Sequence, residues 1–231
     1  LARAAALVAV AGIVLCGQAF AQTTYYWDAN DSTAGFGTAG GTWAAPTTNN
    51  STQGWSTSAA GTSAMSGTTT TNATDALNFG TGSAGLALGT ITVSGTVAAN
   101  SLTFGSASGN LTLSGGTITL GGATPTITTN NTADTISSVL AGSAGMTKNG
   151  TGSLILTGAN TYTGTTTINA GTLQIGTGTT GSIASSSIVN NGTLVINKNE
   201  SMTLSSMTGT GNLTADFSTG FLRLGGNITL N

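Results

Sequence analysis

Apolar side chains along this chain come in short alternating pairs. Ile91/Val93, Leu102/Phe104, Leu111/Leu113, Ile118/Leu120, Met202/Leu204 and Ile228/Leu230 each flank one threonine. A period of two is that of a strand with one face buried. Glycine or asparagine bounds these pairs, and both residues tolerate the positive φ of tight turns. No stretch beyond the N-terminal segment carries a helical apolar stripe.

The pairs belong to a longer repeat. Gly-x-Leu recurs at Gly152-Ser153-Leu154, Gly171-Thr172-Leu173, Gly192-Thr193-Leu194 and Gly211-Asn212-Leu213, with glycines 19, 21 and 19 residues apart. Gly109-Asn110-Leu111 stands about two periods earlier. Two or three short strands per period of about 20 residues predict an all-β fold, a right-handed parallel β-helix (a β-solenoid). Residues 77–231 would make roughly seven or eight coils, a rod of about 35 Å at about 4.8 Å per coil. Leu154, Leu173, Leu194 and Leu213 are expected in one inward file. Asn169 and Asn190, each shortly before the glycine, are expected to stack at one turn, as amide ladders do. The alternative fold is an antiparallel β-sandwich. Asn149-Gly150 and Asn191-Gly192 are the hairpin dipeptides it would use.

Residues 141–176, AGSAGMTKNGTGSLILTGANTYTGTTTINAGTLQIG, carry a longer pattern. Lys148, Gly150, Gly152, Leu154, Leu156, Gly158, Asn160, Tyr162, Gly164, Thr166, Thr167, Asn169, Gly171, Thr172 and Leu173 stand where the autotransporter-associated β-strand repeat has its characteristic residues. Met146 replaces the leucine that usually opens the motif. The segment closely resembles that family. The resemblance extends more loosely to the aromatic segment Tyr25-Tyr26-Trp27-Asp28 and to Trp43, Trp55 and Asn78-Phe79-Gly80. It implies an exported passenger β-solenoid, displayed on or released from a bacterial outer surface, with a structural or adhesive role. It also implies a C-terminal outer-membrane β-barrel. No run of aromatic-girdled strands of that kind follows Gly176. The chain opens at Leu1 and stops within an unfinished coil at Asn227-Ile228-Thr229-Leu230-Asn231, so the natural protein is expected to continue.

Composition narrows the chemistry. Charged residues are 4% of the chain, the net charge is −2, and glycine accounts for 36 of 231 residues. Disordered chains are usually highly charged and poor in aliphatics, which this chain is not. A nucleic-acid partner would need a basic footprint that is absent. There is no histidine, so histidine-dependent nucleophiles and histidine–zinc sites have no ligand set. The carboxylates Asp28, Asp31, Asp75, Asp134, Glu200 and Asp216 are scattered, and are expected to be isolated and solvated rather than a catalytic pair. The chain is therefore read as non-enzymatic, with no catalytic, cofactor or metal residues and no cofactor. Its expected partners are surface glycans or neighbouring cells, and the alternative is a carbohydrate-binding or carbohydrate-active β-helix. Trp27, Trp43 and Trp55, with Tyr25 and Tyr26, read as a cap over the first coil, or alternatively as a sugar-stacking platform. The Thr-x-Thr pairs Thr117/Thr119, Thr126/Thr128 and Thr165/Thr167 do not recur at the 20-residue period, so no regular threonine ladder is expected.

The N-terminus reads as an export signal. Arg3 is the only charge among the first 27 residues. An apolar run from Ala4 to Leu15 leads to Ala19-Phe20-Ala21, an A-x-A cleavage site. The run is shorter than the roughly 20 residues that span a bilayer. Leu15 before Cys16 argues against lipid attachment. Removal of residues 1–21 by the export machinery takes away Cys16, the one cysteine, and leaves a chain that cannot use disulfides. Residues 22–76 would then be a capping segment ahead of the solenoid at 77–231.

Overall fold

The computed structural model describes residues 21–185, 187–226 and 228–230. The export-signal reading lies outside the described residues, Ala21 apart. Every regular element described is a strand. Strands recur in threes, and successive threes stack in parallel register into seven complete coils. Coil one covers residues 76–99, coil two 101–120, coil three 126–141, coil four 146–160, coil five 166–183, coil six 187–204 and coil seven 206–224. Ile228–Leu230 begins another.

The first strand of each coil joins one sheet and the second strand joins another. The third strands form shorter sheets that close the coil. Backbone hydrogen bonds thus run between coils, and alternate side chains point inward. In the second sheet Leu154, Leu173, Leu194 and Leu213 stand in register. Leu156, Ile175 and Ile196 make a parallel inward file. All of these are buried except Leu213, which is half-buried. Asn149-Gly150 and Asn191-Gly192 join parallel strands of neighbouring sheets, so the antiparallel sandwich is excluded.

One expected alignment fails. Ile168 pairs with Asn190 in the first sheet, while Leu173 pairs with Leu194 in the second. Residues 169–171 connect the two sheets in coil five, but only 191 and 192 do so in coil six. The shorter connection slips the sequence by one position, which turns a side chain to the other face. Asn190 therefore points inward and is fully buried. Asn169 stays outside, and its Nδ2 donates to Asn149 Oδ1 at 2.8 Å.

A threonine file that spacing did not reveal also forms. Ser101, Thr126, Thr147, Thr167, Val189 and Thr208 align on the outer face of the first sheet. Its companion file starts with Thr103 and Thr128 and turns to Asn149. Paired hydroxyls thus occupy only the second and third coils, and no regular two-file lattice develops.

Above coil one, Thr24–Asp28 lies parallel to Ala76–Phe79 and Gly54–Ser56 pairs antiparallel with it. Thr42–Trp43 sits on the second sheet. Trp55 packs edge-on against Trp27 at 5.0 Å and Trp43 at 5.5 Å, and meets Phe79 at 5.8 Å. Phe79 stacks on Phe104 of coil two at 5.2 Å. The three tryptophans are buried, so they close the coil and offer no exposed platform to a sugar.

Replacing Leu173 by alanine should cost about 2–5 kcal/mol of unfolding free energy in a denaturant titration, through a core cavity. Thr172→Ala, one residue away on the outer face, should stay within about 0.5 kcal/mol.

Candidate functional site

The corner joining the first two sheets is where the coils differ. Its connection is 80–88 in coil one, 105–110 in coil two, 130–132, 150–152 and 169–171 in the next three, and 191–192 in coil six. A corner interrupts the inter-coil ladder, and its carbonyls need other donors. Buried polar side chains supply them. Ser108 Oγ donates to Phe79 O at 3.0 Å, and accepts from Leu86 N at 3.1 Å. Asn131 Nδ2 donates to Gly109 O at 2.8 Å. Lys148 Nζ donates to the carbonyls of Asn149 (2.7 Å), Gly150 (3.0 Å) and Ala170 (3.3 Å). Asn190 Nδ2 donates to Asn212 O at 2.8 Å. Gly171 turns this corner at φ +67°, where a Cβ would collide with the carbonyl oxygens of Gly150 and Gly152.

The corner to the third sheet uses the same device. Asn160 Oδ1 accepts from Leu140 N at 2.8 Å in the coil above, and its Nδ2 donates to Ser182 O at 2.9 Å in the coil below. Its Nδ2 also donates to Gly158 O at 3.0 Å. Tyr162 is sealed beside it, with its hydroxyl 2.9 Å from Thr166 Oγ1, and burial pushes that phenol up. These contacts give physical reasons for the asparagine, tyrosine and lysine of the repeat motif.

The carboxylates depart from the expectation of solvation. Asp28, Asp75 and Asp134 are buried, whereas Glu200 and Asp216 are exposed. Asp75 Oδ1 accepts from Thr23 N at 3.2 Å and its Oδ2 from Asn72 N at 2.9 Å, which ties the N-terminal segment to coil one. Asp134 stands in the aliphatic file of the second sheet, opposite Leu154. Its Oδ1 accepts from Leu111 N at 3.0 Å and from Asn131 Nδ2 at 2.8 Å. Asp134 Oδ2, Asn131 Oδ1 and Thr129 Oγ1 are buried without a partner. Burial raises Asp134 to about 6, against the pull of Asn131, the Leu111 N–H and, least, Lys148. Burial lowers Lys148 to about 8, and Asp134 opposes it. Asp28 is likewise raised to about 6, by burial first and then by Asp31. Asp134 and Lys148 lie inside the coil, where no substrate reaches them, and their contacts serve the corners. Among the described residues no group of three or more His, Cys, Asp or Glu is placed to hold a metal ion.

The solvent side of the same corner is concave. A cleft of about 440 Å³ is lined by Ser106 and Ser108 of coil two, Asn130, Asn131 and Thr132 of coil three, and Thr151 and Gly152 of coil four. It lies at the step where the longer connection 105–110 gives way to shorter ones. No ionisable side chain lines it. Sequence reading missed this cleft because its residues are ordinary polar loop residues, and only the stacking of three coils gathers them.

Residues 146–175, which run from coil four into coil five, match the family model described as passenger-associated-transport-repeat. The chain is an autotransporter-passenger repeat protein. It is 41% identical over 163 residues, 71% of its length, to a protein named adhesin BmaC autotransporter from Brucella suis biovar 1 (strain 1330). The match spans 4% of that relative's length. No solved structure matches the chain. In passenger terms, the matched repeat is one coil and most of the next, and Lys148, Asn160 and Tyr162 all fall within it.

The raised Asp134 gives the passenger fold a pH signature. Its folded value, about 6, exceeds the ordinary 3.8. Its favourable contribution is therefore complete below the unfolded value, and is lost as pH rises through about 6. Acidifying from about pH 7 to about pH 5 should add on the order of 1 kcal/mol to the unfolding free energy through this group. Asp134→Asn keeps an oxygen for the Leu111 N–H. It should stabilise the fold at about pH 7 by roughly 1–3 kcal/mol and shrink the acid gain. The remaining gain belongs to Asp28. Denaturant titrations of both proteins at the two pH values check this.

Proposed function

We propose that this chain is a segment of an exported, surface-displayed adhesive passenger, and that its coils act without catalysis. The observation that carries the reading is the continuous parallel stack bearing the passenger repeat, with outward files of threonine, serine and asparagine. A stack of this kind extends by adding like units, each held by its neighbours. It suits a spacer that holds a contact surface away from a cell. The similarity to a protein named an adhesin supports the adhesive part. The N-terminal signal would direct export, and an outer-membrane β-barrel in a further segment would anchor the passenger. Surface glycans or neighbouring cells are the proposed partners, and nucleic acid is not among them.

A carbohydrate-binding reading has one observation in its favour, the uncharged polar cleft across coils two to four. The tryptophans no longer support it, since they are buried.

The test is display. An epitope-tagged chain expressed in its native host should be removed from intact cells by added protease. Cells carrying it should adhere to one another or to host-cell monolayers more than cells lacking it. Retention inside the cell, or unchanged adhesion when the chain is displayed, would overturn the reading.

A further inference from the structure

We propose that the cleft at the corner of coils two to four is a binding site for a neutral oligosaccharide. The inference rests on the adhesive reading and names the ligand class that this reading leaves open. The first argument is chemical. The exposed lining side chains Ser106, Asn130, Thr132 and Thr151 are hydroxyls and an amide, each able to donate and accept. A ligand that matches such a lining carries many groups that also do both, which is the property of sugar hydroxyls. No lysine, arginine, aspartate or glutamate lines the cleft, so nothing there would compensate a sulfate, a sialate or a phosphate.

The second argument is geometric. The volume, about 440 Å³, falls within the range of small-ligand sites, about 300–1,000 Å³. The cleft is built on three coils whose strands fix its walls. Its floor is held from behind, because Asn131 is tied to Gly109 O and Asp134 Oδ1. An arrangement locked by contacts beneath it is the preformed kind of site that loses little on binding. The third argument is the rim. Leu88, 71% exposed, stands one coil above against Gly109, beside the lining Ser108. It offers an apolar contact for the C–H face of a sugar ring.

The test begins with the purified chain on an array of neutral, sialylated and sulfated oligosaccharides. Calorimetric titration with the neutral oligosaccharide of strongest signal follows. The expected result is binding to neutral oligosaccharides, insensitive to salt because no charge takes part. Asn130→Ala combined with Thr151→Ala should weaken it about tenfold or more, the loss of on the order of one good polar contact. Ser106→Trp, a bulky change on an exposed loop, should block it, and Thr208→Ala on the outer face of the first sheet should leave it intact. Three results would overturn the site: no neutral oligosaccharide bound, salt-sensitive preference for acidic ones, or binding indifferent to both cleft variants. Displayed cells that adhere while the purified chain binds no glycan would sink the cleft alone. Displayed cells that do not adhere while the chain binds a neutral glycan through the cleft would sink the adhesive reading alone.

Discussion

Every backbone hydrogen bond in this fold's sheets is made to a neighbouring coil, and that constraint shapes the rest. A coil satisfies its N–H and C=O groups only if the next one lies in parallel register at the strand spacing. Register then decides which side chains meet. Leu154, Leu173 and Leu194 coincide because their spacings follow the coil. Two residues instead of three in one connection are enough to turn Asn190 inward where Asn169 is out. The chain lacks a single centre, and its core is the sum of these files. The stack thus replaces disulfides as the source of cohesion.

Corners are the weak link, because there the ladder is broken while the chain is still inside. The fold meets this with polar side chains that point inward and act as local backbone. Asn160 bonds to the coils on either side of its own, and Lys148 serves carbonyls of two coils with one ammonium group. A buried donor or acceptor left unpaired costs on the order of 1–3 kcal/mol, so these residues matter more than their number suggests. They also draw charge away from the surface. With Asp28, Asp75, Asp134 and Lys148 inside, the outer surface is more nearly neutral than the composition alone implies. Long-range steering has little to act on, and recognition by such a surface depends on short-range fit.

The fold was legible because strand alternation and a period near 20 residues are one-dimensional signals. Leu, Ile and Val at those positions have no competing interpretation once the glycines are counted. The interior polar residues were harder. Nothing in the sequence separates a solvated Asp134 from a buried one, since the residue that occupies its file one coil on is leucine and the pairing itself must be known. The threonine file was hidden for a related reason. Connections of changing length shift Thr126, Thr147 and Thr167 off any constant period, yet the sheet aligns them. The cleft depends on three coils at once, and no local motif encodes it.

That failure of local reading points to where a repeated fold can acquire specificity. The strands cannot vary freely, because each inward residue must fit the coils above and below. Outward strand residues are constrained in a different way, since a flat file of small polar side chains presents much the same surface at every coil. Connections escape both limits. Length changes there leave the ladder intact, as the sequence of 80–88, 105–110, 130–132 and 191–192 at one corner shows. Repeat proteins in general place their insertions on one face, which is often the binding face. In this chain the long connections gather toward the N-terminal coils, and the cleft opens where they shorten. A passenger built this way separates its tasks by geometry: the sheets set the reach, and one corner carries the shape that a partner would recognise.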